Sequence, residues 1–288
     1  MFNTEYFFKS LVIGSILALS ACQNASPLPA LSTPATSVEC TCIQEASTGR
    51  MLTPAQLLTR LDSAPIVIIG EEHTNVHHHQ IEQWLLTNLA QSRPQGSVLM
   101  EMIDISQQEA VNRVKQASAS GSSVSPTRAA EALRWNSGWP WDLYRDVVMT
   151  ALEAPYPLLA ANISRQQVTE IYRHPTFPPG ARTSTPQVRQ SLSAIIYLMH
   201  DGQIGEQQVN AMVAIQQHRD RFMAGQLSRA PRPTLLIAGG YHAAKDVGVP
   251  LHLADLAVEK PVVVMLTREG TTLTAKQADY IWSVQETK

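Results

Sequence analysis

Five short apolar runs, at residues 66–69, 98–102, 158–161, 235–238 and 262–266, constrain this chain more than any other feature. They are rich in Val, Ile and Leu and do not alternate with polar residues, which is the pattern of strands buried on both faces. Helical patterns at 80–89, 141–152 and 207–223 lie between them. Strands alternating with helices predict an α/β fold: a mostly parallel central sheet with helices on both faces. A Pro-rich loop at 174–187 and a helical insertion near 188–226 break the rhythm. The insertion is either a cap or interface beside the sheet, or extra helices packed for stability.

Of the 288 residues 44% are apolar and 16% charged, with a formal net charge of -2. Such a chain buries a proper core and has no electrostatic pull toward nucleic acid. The N-terminus reads differently. Lys9 precedes an apolar run at 11–19 that ends in "LSAC" at Cys22, too short to span a bilayer and suited to a signal peptide over 1–21. Small residues before a Cys resemble the lipobox of bacterial lipoproteins, which implies acylation of Cys22 as the first mature residue. Gln23 resembles the sorting pattern for the outer membrane. Residues 22–50, rich in Pro, Ser, Ala and Thr at the start, read as a flexible tether, so the single folded domain is expected over 51–288. Cys40 and Cys42 are one residue apart, which makes a strained disulfide ring, and metal or redox work there is not the favoured reading.

The first apolar run opens into "GEEHTNVHHHQ", two Glu and four His in eleven residues. Ile81, Trp84, Leu85 and Leu89 recur at helical spacing, which makes Asn75 the N-cap. Successive helical side chains point about 100° apart, so His77, His78 and His79 cannot converge on one ion. That register predicts His79 in solvent, with His77 and His78 able to line a pocket. Glu71 and His73, two apart in extended chain, are expected to share a face while Glu72 points away. Gly70-x-x-His73 recurs downstream as Gly239-x-x-His242, and Glu101, Asn162 and Arg165 follow other strands. Ligand crevices in open parallel sheets lie beyond the carboxyl ends of the strands, so these residues are expected to meet in one cleft.

In their order, the lipobox, "GEEHTN" with its His-rich helix, "LMEMID", "WNSGWPWDLY" at 135–144, "AANISR", His200 before "DG", "QHRDRFMA" and "AGGYHAAKDVGVPLHL" resemble the ChaN-type haem-binding lipoproteins. Their superfamily also holds the Tiki, TraB and erythromycin esterase proteins. The similarity spans about residues 50–268; Tyr241 replaces the small residue usual before the second motif His.

The resemblance implies haem as cofactor and cargo, on an outer-membrane lipoprotein that contributes to haem and iron uptake with an outer-membrane haem receptor as partner. A haem site needs apolar walls, an axial donor and cations for the propionates. Tyr197 and Tyr241 are the candidate axial ligands to the iron, with His73, His242 and Lys245 as further haem contacts. The Trp-rich segment is expected to pack a helix onto the sheet. A haem held at a surface exposes an apolar plate that a second copy covers, which predicts a homodimer. The competing reading is a metal-dependent hydrolase or protease that uses Glu71, His73, Glu101, Arg165 and His242. No nucleophile elbow with Ser or Cys is recognisable, which argues against a covalent acyl mechanism.

Overall fold

The computed structural model describes residues 43–285. Eight strands, β1 (Ile43–Glu45), β2 (Met51–Leu52), β3 (Ile66–Glu71), β4 (Ser97–Asp104), β5 (Leu158–Asn162), β6 (Thr234–Gly239), β7 (Val262–Arg268) and β8 (Tyr280–Val284), form one sheet. Their order is β2-β1-β8-β7-β3-β6-β4-β5. From β8 to β5 the pairing is parallel, and β1 joins β2 and β8 antiparallel. The α/β class and mostly parallel sheet are as the sequence predicts.

Adjacent residues of each central strand face opposite ways and both faces are dry. Val67 and Ile69 of β3 join one apolar cluster, Ile66 and Ile68 the other. The first face is covered by α1 (Pro54–Leu61), α2 (Val76–Ser92), α3 (Gln108–Ala119), α4 (Pro126–Leu133) and α5 (Trp141–Glu153). The second is covered by α7 (Pro186–Met199), α8 (Glu206–Arg229), α9 (Gly240–Ala243) and α10 (Val249–Asp255), with α6 (Arg165–Arg173) packed on α8. The helical insertion is thus the second layer itself. Leu192, Val213, Met223 and Leu227 are buried against the sheet, each side chain stabilising by about 1.5–3 kcal/mol.

α8 is also longer than the strand it leads into. Its 24 residues reach about 36 Å at 1.5 Å per residue, whereas β6, which it feeds, has six residues and reaches roughly 20 Å. Gln216, near the middle of α8, meets His242 just past the end of β6, so the α7–α8 junction lies beyond the carboxyl edge of the strands.

The expected start at residue 51 is eight residues late, because β1 already belongs to the sheet. A strand of three residues is too short to show a period, so the segment merges with the tether in sequence. β8 lies outside the five apolar runs; Tyr280–Val284 pairs with β1 and β7 next to the sheet's antiparallel end. The signal peptide, Cys22, Cys40 and Cys42 lie outside the described residues. Among the described residues no helix is long and apolar enough to cross a membrane.

Candidate functional site

Register brings the strand ends together. β6 sits between β3 and β4, with Glu71 opposite Gly239 and Met100 opposite Ile237. Glu71, Glu101 and Gly239 thus leave the same edge on adjacent strands. Gly239 leaves room there: a Cβ would stand 2.7 Å from His73 Nε2, and the ring would have to shift. Its N–H instead donates to Glu101 Oε2 at 2.8 Å, in a contact no side chain obstructs.

Beyond β6 the chain turns at once into α9, which carries His242 back over Glu101. His242 Nε2 lies 3.2 Å from Glu101 Oε1, and Nδ1 lies 2.5 Å from Asp220 Oδ1 and 3.0 Å from Gln216 Nε2. Both carboxylates are fully buried and His242 is 5% exposed. Burial opposes an imidazolium here, but the charges of Glu101 and Asp220 outweigh it and push His242 up to about 10. Burial likewise works against ionised Glu101, yet His242, His73 and Arg219 hold it at about 2. For Asp220 burial prevails and raises it to about 6.

On the neighbouring strand, His73 Nδ1 lies 2.8 Å from Glu71 Oε1, and its Nε2 is 3.9 Å from Glu101 Oε2. Tyr144 of α5 donates to the same Glu71 oxygen at 2.7 Å. Burial disfavours ionised Glu71, but the His73 bond and the nearby His79 imidazole outweigh it and hold it well below the usual carboxylate range. Burial lowers His73 less than the Glu71 bond and the Glu101 charge raise it, so its proton is held more firmly than usual. Trp139 packs edge-on against His73 with centroids 4.6 Å apart. With a third of its side chain exposed, His73 is the outward face of an otherwise buried cluster.

Glu71, His73, Glu101 and His242 therefore meet at one edge. Asn162 reaches the same place, donating from Nδ2 to the Glu101 carbonyl at 3.0 Å. Arg165 does not: it opens α6 in solvent, and Arg219 on α8 supplies the positive field at Glu101 and Asp220 instead. Lys245 also differs from expectation. α9 ends at Ala243, so Lys245 turns to β8 and pairs with Asp279 Oδ1 at 2.6 Å and the Ala278 carbonyl at 3.2 Å. Glu72 points away as predicted and pairs with Arg268.

His79 is a correction. It is 3% exposed rather than solvated, because α2 is wedged between the sheet and α5 and is buried on nearly every side. Its ring lies 4.3 Å from Tyr144. His78 is buried too: burial lowers it to about 4, and its neutral Nδ1 accepts the Glu72 N–H at 2.9 Å, which ties the β3–α2 turn. Asn75 caps α2 by accepting from His77 N–H at 3.0 Å.

The candidate tyrosines lie outside this cluster. Tyr241 is 48% exposed beside buried His242. Tyr197, near the end of α7, is 46% exposed and is followed by Leu198 and Met199 at 72% and 61%. Its ring lies over Gly202, whose φ of +69° and missing Cβ let the turn close against it. A groove of about 490 Å³ adjoins it, lined by Ala194, Ile204, Val209 and polar residues between α7 and α8.

The family model for haem-binding uptake proteins of the Tiki superfamily, ChaN, matches residues 57–253. The chain belongs to this family. A solved structure of Campylobacter jejuni ChaN, described as showing cofacial haem binding, is 28% identical with a TM-score of 0.76, covering 83% of this chain and 94% of that one. The type III effector HopBA1 and an erythromycin esterase mutant in its open conformation are both 13% identical with TM-scores of 0.48. Those two alignments cover 80% of this chain, with 92% of the effector and 78% of the esterase. No curated protein sequence matches the chain.

The His242 geometry has a measurable consequence. Its folded value near 10 exceeds the unfolded 6.5, so the stability it contributes is full below about pH 6.5 and is lost as pH rises through about 10. His242→Ala should flatten that alkaline decline and cost about 3–5 kcal/mol at pH 7, since two buried carboxylates lose their partner. Urea unfolding across pH checks this; parallel curves for the two proteins would contradict it.

Proposed function

We propose that the chain binds haem at the α7–α8 overhang, with the Tyr197 phenolate as axial ligand to the iron. The observation that carries this reading is the run of exposed apolar side chains at the end of α7, Tyr197, Leu198 and Met199, with Tyr197 lining a groove, in a chain whose family is one of haem-binding uptake proteins. Three large apolar side chains exposed in succession at a helix end offer an interaction surface. The residues fit the group: the patch and groove offer apolar walls, and a half-exposed phenol offers an oxygen donor of the type haem iron accepts. Bound haem would supply the iron that takes the phenolate, while the patch grips the porphyrin face.

Tyr197 is preferred to Tyr241, which stands in sequence between half-buried Gly240 and buried His242. His242 is engaged by two carboxylates, so it positions the cluster rather than touching haem, and His73 is held by Glu71. Lys245, paired with Asp279, is left out of propionate binding. A haem on so open a surface leaves its outer face uncovered, which a second copy of the chain would close in a homodimer. An acylated Cys22 would hold the assembly at the outer membrane, where a haem receptor exchanges cargo during iron uptake. Mass spectrometry of the native N-terminus is expected to find lipid on Cys22; an unmodified chain beginning at Met1 would remove the anchor.

The second reading, a hydrolase, draws on the convergence of Glu71, His73, Glu101 and His242. One titration decides between the two. Hemin added to the full chain in detergent should give a saturable Soret shift that Tyr197→Phe weakens at least tenfold, about 1.4 kcal/mol. Tyr241→Phe should leave it unchanged. Non-saturable adsorption, together with Mn- or Co-dependent ester or peptide cleavage abolished by Glu71→Ala, would replace haem binding with hydrolysis.

A further inference from the structure

The two oxygens of Glu71 do different things. Oε1 takes the Tyr144 hydroxyl and His73 Nδ1, whereas Oε2 turns into the core with no hydrogen-bond partner. His79 Nε2 comes within 2.8 Å of Oε2, but not along the direction a hydrogen bond requires, and neither ring nitrogen of His79 has a hydrogen-bond partner. Glu82, three residues along α2 from His79 and so on the same helical face, is fully buried with both oxygens lacking a donor. The facing donor atoms of Glu71, His79 and Glu82 all lie within 4.8 Å of one another.

Two carboxylates buried face to face are costly unless something neutral or positive joins them, since each uncompensated charge costs several kcal/mol. A shared proton balances one charge but leaves an imidazole nitrogen and at least one carboxylate oxygen without a partner. A divalent cation satisfies all three groups at once. We propose that Glu71, His79 and Glu82 hold a divalent transition-metal ion in the core, a site distinct from the haem surface and beyond the haem reading.

The donor set of one imidazole and two carboxylates suits Mn, Fe, Co or Zn. An ion about 2.1 Å from each donor sets them roughly 3–4 Å apart, so the 2.8 Å His79–Glu71 pair opens slightly and any pair near the 4.8 Å limit closes. The surroundings hold the ligands as metal sites do. Tyr144 and His73 fix the carboxylate of Glu71 through its other oxygen, and the Tyr144 ring lies against His79. The ion would tie the end of β3 to α2 and orient His73 at the mouth of the strand-end cluster.

The test uses the full chain, produced in Co(II)-supplemented medium and purified in detergent, with native mass spectrometry to count metal and visible absorption to report its ligands. One cobalt per chain is expected, with ligand-field bands of a nitrogen- and oxygen-bound ion. Glu82→Gln, close in shape, should lower affinity at least about a hundredfold while the metal-free protein keeps its fold and melting temperature or gains stability. His79→Asn should also lose the ion. Tyr197→Phe should keep it even if hemin binding fails, which separates this inference from the haem reading. A metal-free wild-type chain, or cobalt retained by both Glu82→Gln and His79→Asn, would overturn the proposal. Cobalt lost in His242→Ala but kept in Glu82→Gln would place the ion in the outer cluster and overturn it equally.

Discussion

The insertion of β6 between β3 and β4 is the constraint on which the rest depends. Strands more than 130 residues apart in sequence become neighbours, and their ends deliver Glu71, Glu101 and Gly239 to adjacent positions on one edge. Glycine at 239 then allows two close approaches at once, the backbone N–H to Glu101 and the His73 ring beside its Cα. A Cβ there would displace the His73 ring. Gly70 serves the same packing one layer below, where a Cβ would meet Ala243 at 2.7 Å and hold α9 off the sheet.

Once assembled, the edge is governed by charge compensation in a dry environment. Glu71, Glu101 and Asp220 are buried carboxylates, and each is matched by a histidine held in place by another element. A group so enclosed is stable only as part of the set, because removing one partner strands the others. Exposed chemistry is left to His73 at its mouth and to the tyrosines beyond it. The overhang of α8 connects the two regions: Val209 lines the groove near Tyr197, and Gln216, seven residues on and roughly 10 Å along the helix, touches His242. The proposed haem surface and the cluster are thus adjacent along α8 without sharing a residue.

Much of this is legible in the letters. Central strands announce themselves as unbroken apolar runs, and parallel pairing makes every polar residue just past such a run a candidate for one edge; Glu71, His73, Glu101 and His242 meet there for that reason. What escapes the sequence is three-dimensional enclosure. His79 reads as solvent-facing if one apolar stripe is assumed, yet α2 is packed on several sides and the residue is buried against α5. His78, Glu82, Leu85 and Leu89 form a buried row at spacings of four and three, and an acid in that row was the available signal for an interior site. Asp220 and Gln216 sit four apart on α8 but look like ordinary polar helix residues until His242 folds back onto them. Lys245 misleads because a four-residue helix ends before reaching it.

The central claim is a division of labour, with iron held at the overhang while the strand-end histidines stay engaged by their carboxylates. Anomalous diffraction at the iron edge from crystals grown with hemin tests it most directly. The account predicts an iron peak within bonding distance of the Tyr197 phenol oxygen and unchanged contacts among Glu101, His242 and Asp220. An iron peak bonded to His242 or His73, with those contacts broken, would contradict it.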